Sequence, residues 1–374
     1  MIFISVLEIN LEEIKLNLKN IKKFLNNNQK FCMVVKANAY GLGDKQLCKY
    51  FNDYVDYFAV SSESEFLSVF QFATKPILIL DPIYKNITKL AKKNAEFTVS
   101  NFESLNVILK NARRNQEILF KIHIAINTGM NRFGFYEKNE IEDVIQKLKK
   151  VQNIVIIGVF SHFYDQKIQN TIKKQYKKFN DIKNFLIQKL NINDFIFHMC
   201  SSLPTIKNNC FDMVRIGIGL YIDESFETIR LVSKIIQIQQ IKTGESAGYN
   251  KEFIAKKDSK IAVVAIGYAD GLFRNIVKNG WVLIKDNFCK IVAICMDSIF
   301  VDITNIECNI YDDVVLIGKD SKNQIFICDL AKWCDTISYE ILTHISNRVK
   351  RKYIRGHNYA NYNRKISCEK TYRG

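Results

Sequence analysis

The stretch FCMVVKANAYGLG, residues 31–43, decides the fold, because a continuous apolar run ends at Lys36 and gives way at once to small and polar residues. Seven more short apolar or β-branched runs follow, and segments with helical spacing come after each run but the last. The predicted strands are residues 31–36, 57–60, 76–80, 96–99, 119–126, 154–160, 195–198 and 213–219. This alternation indicates a parallel sheet, and strands that are apolar throughout favour a closed (β/α)8 barrel of the TIM type over an open sheet.

After residue 225 the pattern changes to closely spaced strands, with few helices before Ile327. The strands predicted here are residues 229–241, 260–268, 280–286, 290–295 and 313–318, followed by a helix near 338–347 and a strand near 349–353. Such spacing predicts a mostly antiparallel β domain. The expected regions are a barrel over residues 8–224, a β domain over 225–355, to which residues 1–7 are a candidate extra strand, and a loosely ordered basic tail over 356–374.

The composition is that of an ordinary globular protein. Of 374 residues, 48% are hydrophobic and 25% are charged, which excludes a disordered chain and a fibrous repeat. Lys and Arg total 54 against 38 Asp and Glu, but the net charge of +16 is spread along the chain, so we expect no nucleic-acid partner.

The sequence also bears on location. No apolar run approaches the length of a membrane span, and Glu8 interrupts the first apolar stretch, so we expect neither a membrane anchor nor a signal peptide. Ten cysteines without paired Cys/His spacing favour a reducing cytoplasm and no metal site.

Polar side chains gather where the predicted barrel strands end, which is where barrels of this type carry their chemistry. Lys36 ends the first strand, Arg132 follows the fifth and His162 follows the sixth. Ser202 follows the seventh strand, and Arg215 lies in the eighth. We therefore expect a catalytic site at the carboxyl end of the barrel.

Lys36, Ser202 and the glycines that follow Arg215 point to a cofactor. A buried ammonium at Lys36 is costly unless it is paired or deprotonated. A deprotonated amine is what Schiff-base chemistry requires. The alternative interpretation is that the Lys36 side chain extends out of the barrel to water. The glycines of RIGIG, residues 215–219, either form a plain turn or present backbone amides to a phosphate. Together with Ser202 they predict a phosphorylated aldehyde cofactor.

The segment VVKANAYGLG (34–43) resembles the pyridoxal-phosphate lysine motif of alanine racemases. Further motifs occur in family order and with family-like spacing, so that the resemblance covers residues 5–353. They are NTGMNRFGF (127–135), GVFSHF (158–163), DMVRIGIGLY (212–221), GESAGY (244–249), IGYADG (266–271), ICMD (294–297), DTISYE (335–340) and RVKRKY (348–353).

The resemblance implies a pyridoxal 5'-phosphate enzyme that interconverts L-alanine and D-alanine and supplies D-alanine for peptidoglycan. Lys36 would carry the cofactor, His162 would face its pyridine ring, and Arg215 would point at the pyridine nitrogen. Arg132 would hold the phenolic oxygen and the substrate carboxylate, with the backbone near Met296 completing that contact. The phosphate contacts implied by the family motifs are Tyr40, Ser202, Gly217, Ile218 and Tyr339.

Racemisation needs an acid/base group on each face of the substrate Cα. The resemblance assigns these roles to Lys36 and Tyr249, and it places Tyr249 on the β domain of the second subunit, which implies an obligate homodimer with shared active sites. A free tyrosine titrates near pH 10, so Tyr249 would need roughly 3–4 kcal/mol of anion stabilisation to act near neutrality. Without the resemblance, Tyr249 would be interpreted as a surface residue in a glycine-flanked turn.

Several alternatives stay open at this point. One is a broad-specificity racemase that accepts serine or larger amino acids. Another is a fold-related amino-acid decarboxylase, against which stand the domain order and an arginine beside the pyridine nitrogen, since decarboxylation profits from a strong electron sink. A third is a non-catalytic pyridoxal-phosphate-binding protein, but such proteins resemble the barrel alone.

The sequence also departs from the family pattern. Ala125 stands where a lysine, often carbamylated, orients the arginine, and Asn127 replaces the aspartate of the DTGM motif. We hypothesise that a chloride or a water occupies the gap beside Arg132. Three further departures, which put substrate breadth in doubt, are Ser201, Ala293 and Ser298. His123, which lies in a barrel strand, is interpreted as a structural histidine.

Overall fold

The computed structural model describes residues 4–165, 168–190, 194–201, 203–206, 210–222 and 228–356. The chain divides into two units. One comprises residues 18–39 and 43–219, and the other comprises residues 1–17, 40–42 and 220–374, as far as these are described. The predicted tail beyond Gly356 lies outside the described residues.

The first unit is a closed barrel of eight parallel strands, which confirms the predicted fold class. The first strand of the chain, β1 (Val6–Asn10), belongs to the other unit. The barrel strands are β2 (Lys30–Val34), β3 (Tyr57–Val60), β4 (Ile77–Ile79), β5 (Ala95–Val99), β6 (Phe120–Ala125), β7 (Ile154–Phe160), β8 (Ile196–His198) and β9 (Met213–Ile216). The barrel closes where β9 pairs with β2, with Met213 opposite Lys30.

One helix precedes the barrel strands, and further helices follow them. They are Leu11–Lys22, which precedes β2, and then Asp44–Phe51, Glu63–Val69, Ile87–Ala91, Phe102–Arg114, Lys138–Lys149, Gln169–Leu190, Leu203–Ile206 and Ile218–Tyr221, with a 3-10 turn at Asn52–Tyr54. Phe102–Arg114 illustrates why they form: the side chain of Asn101 accepts a hydrogen bond from the Ser104 amide (2.7 Å), and Leu105, Ile108 and Ala112 bury one face.

Two boundary predictions were wrong. The eighth strand was expected to run over 213–219 with no helix after it, but β9 ends at Ile216 and Ile218–Tyr221 is helical. The first barrel strand was expected to run over residues 31–36, but β2 ends at Val34 and a left-handed turn begins at Lys36. Lys36 therefore lies beyond the end of β2.

The second unit is built on a nine-stranded sheet, in the order β18-β17-β14-β15-β16-β13-β10-β1-β19. Its strands after β1 are β10 (Ile229–Ile241), β13 (Ser259–Val264), β14 (Trp281–Ile284), β15 (Asn287–Ile294), β16 (Ile299–Asp302), β17 (Asp313–Lys319), β18 (Gln324–Ile325) and β19 (Lys350–Ile354), with β11 (Ser246–Ala247) and β12 (Phe253–Ile254) in a separate ribbon. Its helices are Ile276–Asn279, Ile327–Trp333 and Ser338–His344, with 3-10 turns at Tyr249–Lys251 and Tyr268–Asp270. The mostly antiparallel β domain is thus confirmed.

Strand β1 ties the two ends of this unit together. It pairs antiparallel with β10, with Val6 opposite Val232, and parallel with β19, with Val6 opposite Lys350. Leu7 and Ile9 are fully buried in the sheet. Nowhere in the described residues does a helix combine the length and the apolar character needed to cross a membrane.

Candidate active site

Lys36 begins a turn of left-handed helix. The φ angles of Ala37, Asn38 and Ala39 are 51°, 54° and 50°, and Tyr40 continues the turn at 55°. An L-residue in this conformation costs roughly 1–2 kcal/mol, and consecutive residues rarely adopt it. The position of Lys36 is therefore set by a strained segment that the surrounding structure must stabilise.

A carboxylate that the sequence analysis did not single out holds this turn. One oxygen of Glu65 accepts a hydrogen bond from the Ala37 amide (2.8 Å), and the other accepts from the amide and the hydroxyl of Ser61 (2.7 and 2.9 Å). Within the turn, the Ala39 amide donates to the Val35 carbonyl (2.8 Å). The only sequence signal for Glu65 was its place in the first turn of a helix that Ser62 caps.

The pKa of the Lys36 amine is lowered, chiefly by burial. The charge of Arg132 and, to a smaller extent, that of Arg215 lower it further. Asp81 and Glu65 oppose this and raise the pKa, without reversing the direction. The amine therefore gives up its proton more readily than an ordinary lysine, which is what a nucleophilic or basic lysine requires.

Arg215 and His162 form the buried part of the site. The Arg215 guanidinium donates from Nη2 to the Ser161 carbonyl (2.7 Å), and the same nitrogen lies 3.5 Å from Nδ1 of His162. Burial lowers the pKa of His162 to about 3, with Arg215, Arg132 and Lys36 adding to the effect. His162 is therefore a neutral imidazole at physiological pH.

Asn127 shapes the loop that carries Arg132. Its side-chain oxygen accepts hydrogen bonds from the amides of Gly129 (2.9 Å) and Asn131 (3.2 Å), which is the acceptor role an aspartate would play there. Ala125 is buried, and the Arg132 guanidinium lies 4.7 Å from the centroid of the Phe133 ring. Within the described ranges, no carboxylate pairs with Arg132.

The predicted phosphate contacts lie in several places. Gly217 and Ile218 follow β9 directly, where the short helix Ile218–Tyr221 begins, and Ser202 lies outside the described residues. A disulfide joins Cys200, after β8, to Cys210, before β9, so it closes the loop that contains Ser202. The cysteine spacing had not predicted this bond.

Tyr40 and Tyr339 come together in the second unit, with ring centroids 6.3 Å apart and edge to face. Gly41, which follows Tyr40, has φ +86°, and a Cβ there would lie 2.5 Å from the Leu342 carbonyl oxygen. Arg351 donates to the Gly41 carbonyl (2.9 Å). The pair of tyrosines is thus fixed by contacts that only glycine permits at position 41.

Tyr249 and Met296 lie on the surface of the second unit, with 69% and 52% of their area exposed. Tyr249 begins a 3-10 turn after Gly248, and the Met296 carbonyl accepts a hydrogen bond from the Ala269 amide (2.9 Å). The structure therefore groups Lys36, Arg132, His162 and Arg215 in the barrel, while Tyr249 and Met296 belong to the β domain.

The chain has the fold of amino-acid racemases: a closed parallel barrel, with a lysine of lowered pKa after its first strand, and a mostly antiparallel β domain. The sequence matches two family models, "Alanine racemase, N-terminal domain" over residues 9–225 and "Alanine racemase, C-terminal domain" over residues 228–353. The chain belongs to the alanine racemase family.

Individual relatives carry the same name. The chain is similar to an alanine racemase of Thermodesulfovibrio yellowstonii, at 34% identity over 86% of this chain and 89% of the relative. It is also similar to the solved structure of the alanine racemase of Clostridium difficile 630, at 31% identity, a TM-score of 0.86 and coverage of 95% and 96%. A Bacillus anthracis alanine racemase with bound L-Ala-P gives 28% identity and a TM-score of 0.86, with the same coverage.

Replacing Glu65 by alanine should loosen the left-handed turn, because the Ala37 amide and both Ser61 donors lose their acceptor. We expect a loss of about 1–3 kcal/mol in the free energy of unfolding, measured in urea, and faster hydrogen exchange over residues 37–43. Glu63→Ala is the matched control, because Glu63 lies on the same helix turn and bonds only Asn86 at the surface. Equal losses in the two variants would contradict this role for Glu65.

Proposed function

We propose that this protein interconverts L-alanine and D-alanine by a two-base mechanism, with pyridoxal 5'-phosphate held at Lys36. The observation that carries the proposal is the lowered pKa of Lys36, to which Arg132 and Arg215 contribute, just after the first barrel strand of a chain in the alanine racemase family. The names of the relatives supply the substrate.

The donor set suits the cofactor. Lys36 offers an amine for its aldehyde, Arg215 a buried cationic donor for its pyridine nitrogen, and His162 a neutral imidazole beside its ring. Arg132 would hold its phenolic oxygen. The phosphate would be held by Tyr40, Ser202, Gly217, Ile218 and Tyr339. When bound, the cofactor withdraws electrons from the substrate Cα–H bond and so acidifies it.

The residues of this chain supply positioning and proton transfer. Arg132 binds the substrate carboxylate, assisted by the backbone near Met296, and so fixes which way the Cα–H bond points. Lys36 accepts or returns a proton at Cα on one face, which its lowered pKa favours. Arg215 keeps its own proton and donates only a hydrogen bond, which limits electron withdrawal and with it side reactions.

The second base in this proposal is the partner subunit's Tyr249, within a homodimer that shares its active sites. Support comes from the exposure of Tyr249 on a single chain and from the exposed neighbours Ile254 and Tyr268 on the same unit. Exposed apolar and aromatic side chains of this kind are typical of protein interfaces.

We also propose a cellular role and a location for the protein. D-alanine would serve peptidoglycan synthesis, and the protein would work in the cytoplasm, where the cofactor and free amino acids are found. Fractionation of cells that express the tagged protein tests this location.

Substrate breadth is the open part of the proposal. A histidine racemase of Leuconostoc mesenteroides has the same fold at 21% identity and a TM-score of 0.84, so the fold alone does not select alanine. The comparisons do not favour a serine racemase, a decarboxylase or a non-catalytic binding protein.

The proposed reaction is tested by proton NMR of L-alanine with the purified protein and pyridoxal 5'-phosphate in D2O, followed by chiral analysis. We expect the Cα proton to be lost and D-alanine to appear. Lys36→Ala should abolish both this activity and the visible absorbance of the bound cofactor. Exchange without D-alanine, or absorbance retained in Lys36→Ala, would contradict the assignment.

Mixing two inactive variants tests the shared site. If Lys36 of one subunit works with the partner subunit's Tyr249, a dimer of one Lys36→Ala chain and one Tyr249→Phe chain keeps one intact site. Random reassociation should then restore about a quarter of wild-type activity, because half of the dimers are mixed and one of their two sites is intact. Activity that stays at the level of the separate variants would place both residues in one chain's site.

The gap at Ala125 predicts a halide effect. We expect chloride to stabilise substrate binding by Arg132 in the wild type, because no described carboxylate pairs with that guanidinium. KM for L-alanine, measured from zero to about 0.1 M chloride with fluoride balancing the ionic strength, should fall severalfold. Ala125→Lys should remove most of this dependence. A wild-type KM that does not respond to chloride would sink the hypothesis.

A further inference from the structure

Arg215 is a buried cation whose charge is not balanced directly. Only 4% of its surface is exposed, and none of the described carboxylates forms an ion pair with it. Its guanidinium donates from Nη2 to the Ser161 carbonyl and from Nη1 to Nδ1 of His198 (2.6 Å). Burial lowers the pKa of Arg215 to about 10. Because an unpaired charge in a protein interior is costly, its counter-charge must be sought further away.

A chain of hydrogen bonds runs from Arg215 across the interior of the barrel. His198 Nε2 lies 3.0 Å from His123 Nδ1, and His123 Nε2 lies 2.8 Å from a carboxylate oxygen of Glu96. Glu96, His123 and His198 are at most 1% exposed. The four side chains come from strands β5, β6, β8 and β9.

The direction of every bond in this chain is forced. A guanidinium only donates, so His198 Nδ1 accepts and the proton of His198 is on Nε2. That proton is donated to His123 Nδ1, which leaves the His123 proton on Nε2, where it is donated to Glu96. The Glu96 oxygen therefore accepts this hydrogen bond.

The residues around His123 and His198 fix the positions of the two imidazole rings. A Cβ on Gly158 would lie 2.8 Å from His123 Nδ1, so glycine leaves the space that the imidazole occupies, and the β6–β7 register shifts at the same place. The Phe160 ring stacks on His198 with centroids 5.1 Å apart and planes at 16°. The Tyr57 ring meets His123 edge on, with centroids 6.5 Å apart.

We propose that Glu96 is the counter-ion of Arg215, relayed by His123 and His198, and that this relay keeps the proton on Arg215 and so sets the strength of the hydrogen bond that Arg215 offers the cofactor. The inference rests on the proposed function for its consequence, but the relay itself does not depend on it. Glu96, His123 and His198 are positioning residues, because they act through Arg215.

The first test reads the relay in wild-type protein. The chain has five histidines, so 15N-histidine labelling of the full-length protein gives few imidazole signals. Both His123 and His198 should show the neutral Nε2–H tautomer, with and without pyridoxal 5'-phosphate. A His198 that carries its proton on Nδ1 would overturn the relay without any variant.

The second test removes the charge. Glu96→Gln keeps the shape and an acceptor oxygen, and it should shift the signals of His123 and also of His198, which Glu96 does not touch. The matched control is Thr98→Val, because Thr98 is equally buried on the same strand and bonds only the Ile79 carbonyl (2.7 Å). It should leave both histidine signals in place. A His198 signal unmoved in Glu96→Gln would overturn the relay.

The third test reads the effect at the cofactor. In Glu96→Gln the proton should move toward the pyridine nitrogen, seen as a change in the 15N shift of labelled bound pyridoxal 5'-phosphate. Transamination, measured as pyruvate, should rise about tenfold relative to racemisation, as expected for loss of one charge across this distance. Shifted histidine signals with an unchanged cofactor 15N shift would reduce the relay to a structural role. A wild type that fails to racemise alanine would sink the proposed function, and the two 15N measurements would still decide the relay.

Discussion

Electrostatic repulsion among Lys36, Arg132 and Arg215 is the constraint on which the rest of the site depends. Burial is the largest cause of the lowered pKa values of Lys36 and His162, and this repulsion lowers both further. It also costs folding energy, because like charges are held close in a partly dry barrel mouth. The carboxylates of the barrel are placed where they limit this cost without cancelling it.

Three carboxylates share that task at different distances. Asp81 and Glu65 act near Lys36, and Glu65 also holds the left-handed turn through its hydrogen bonds. Glu96 lies deeper and reaches Arg215 only through two imidazoles. A direct Arg–Glu ion pair would occupy the guanidinium, whereas a relayed one leaves it free to face a ligand.

The sequence predicted what depends on local pattern. Apolar runs bounded by polar segments located all eight barrel strands, and the polar residues beside their ends located Lys36, Arg132, His162 and Arg215. The left-handed turn was not foreseen, because ANAY has no glycine to mark positive φ angles. Glu65 and Glu96 were missed because Ala37, which Glu65 holds, lies 28 residues away, and His123, which Glu96 bonds, lies 27 residues away. His123 was correctly placed in the barrel wall, but its two partners are set by the register of neighbouring strands, which periodicity does not specify.

The pairing of β1 has a consequence for synthesis of the protein on the ribosome. β1 precedes all the barrel strands in the chain, yet one of its neighbours in the sheet, β19, ends at Ile354. At about 5–20 residues per second, tens of seconds pass before that partner exists. During this interval the intervening barrel strands are already available to pair with one another, while β1 presents an open edge with the apolar side chains of Leu7 and Ile9. The β domain is thus completed only after the barrel strands have been synthesised, and until then one edge of β1 lacks its partner strand.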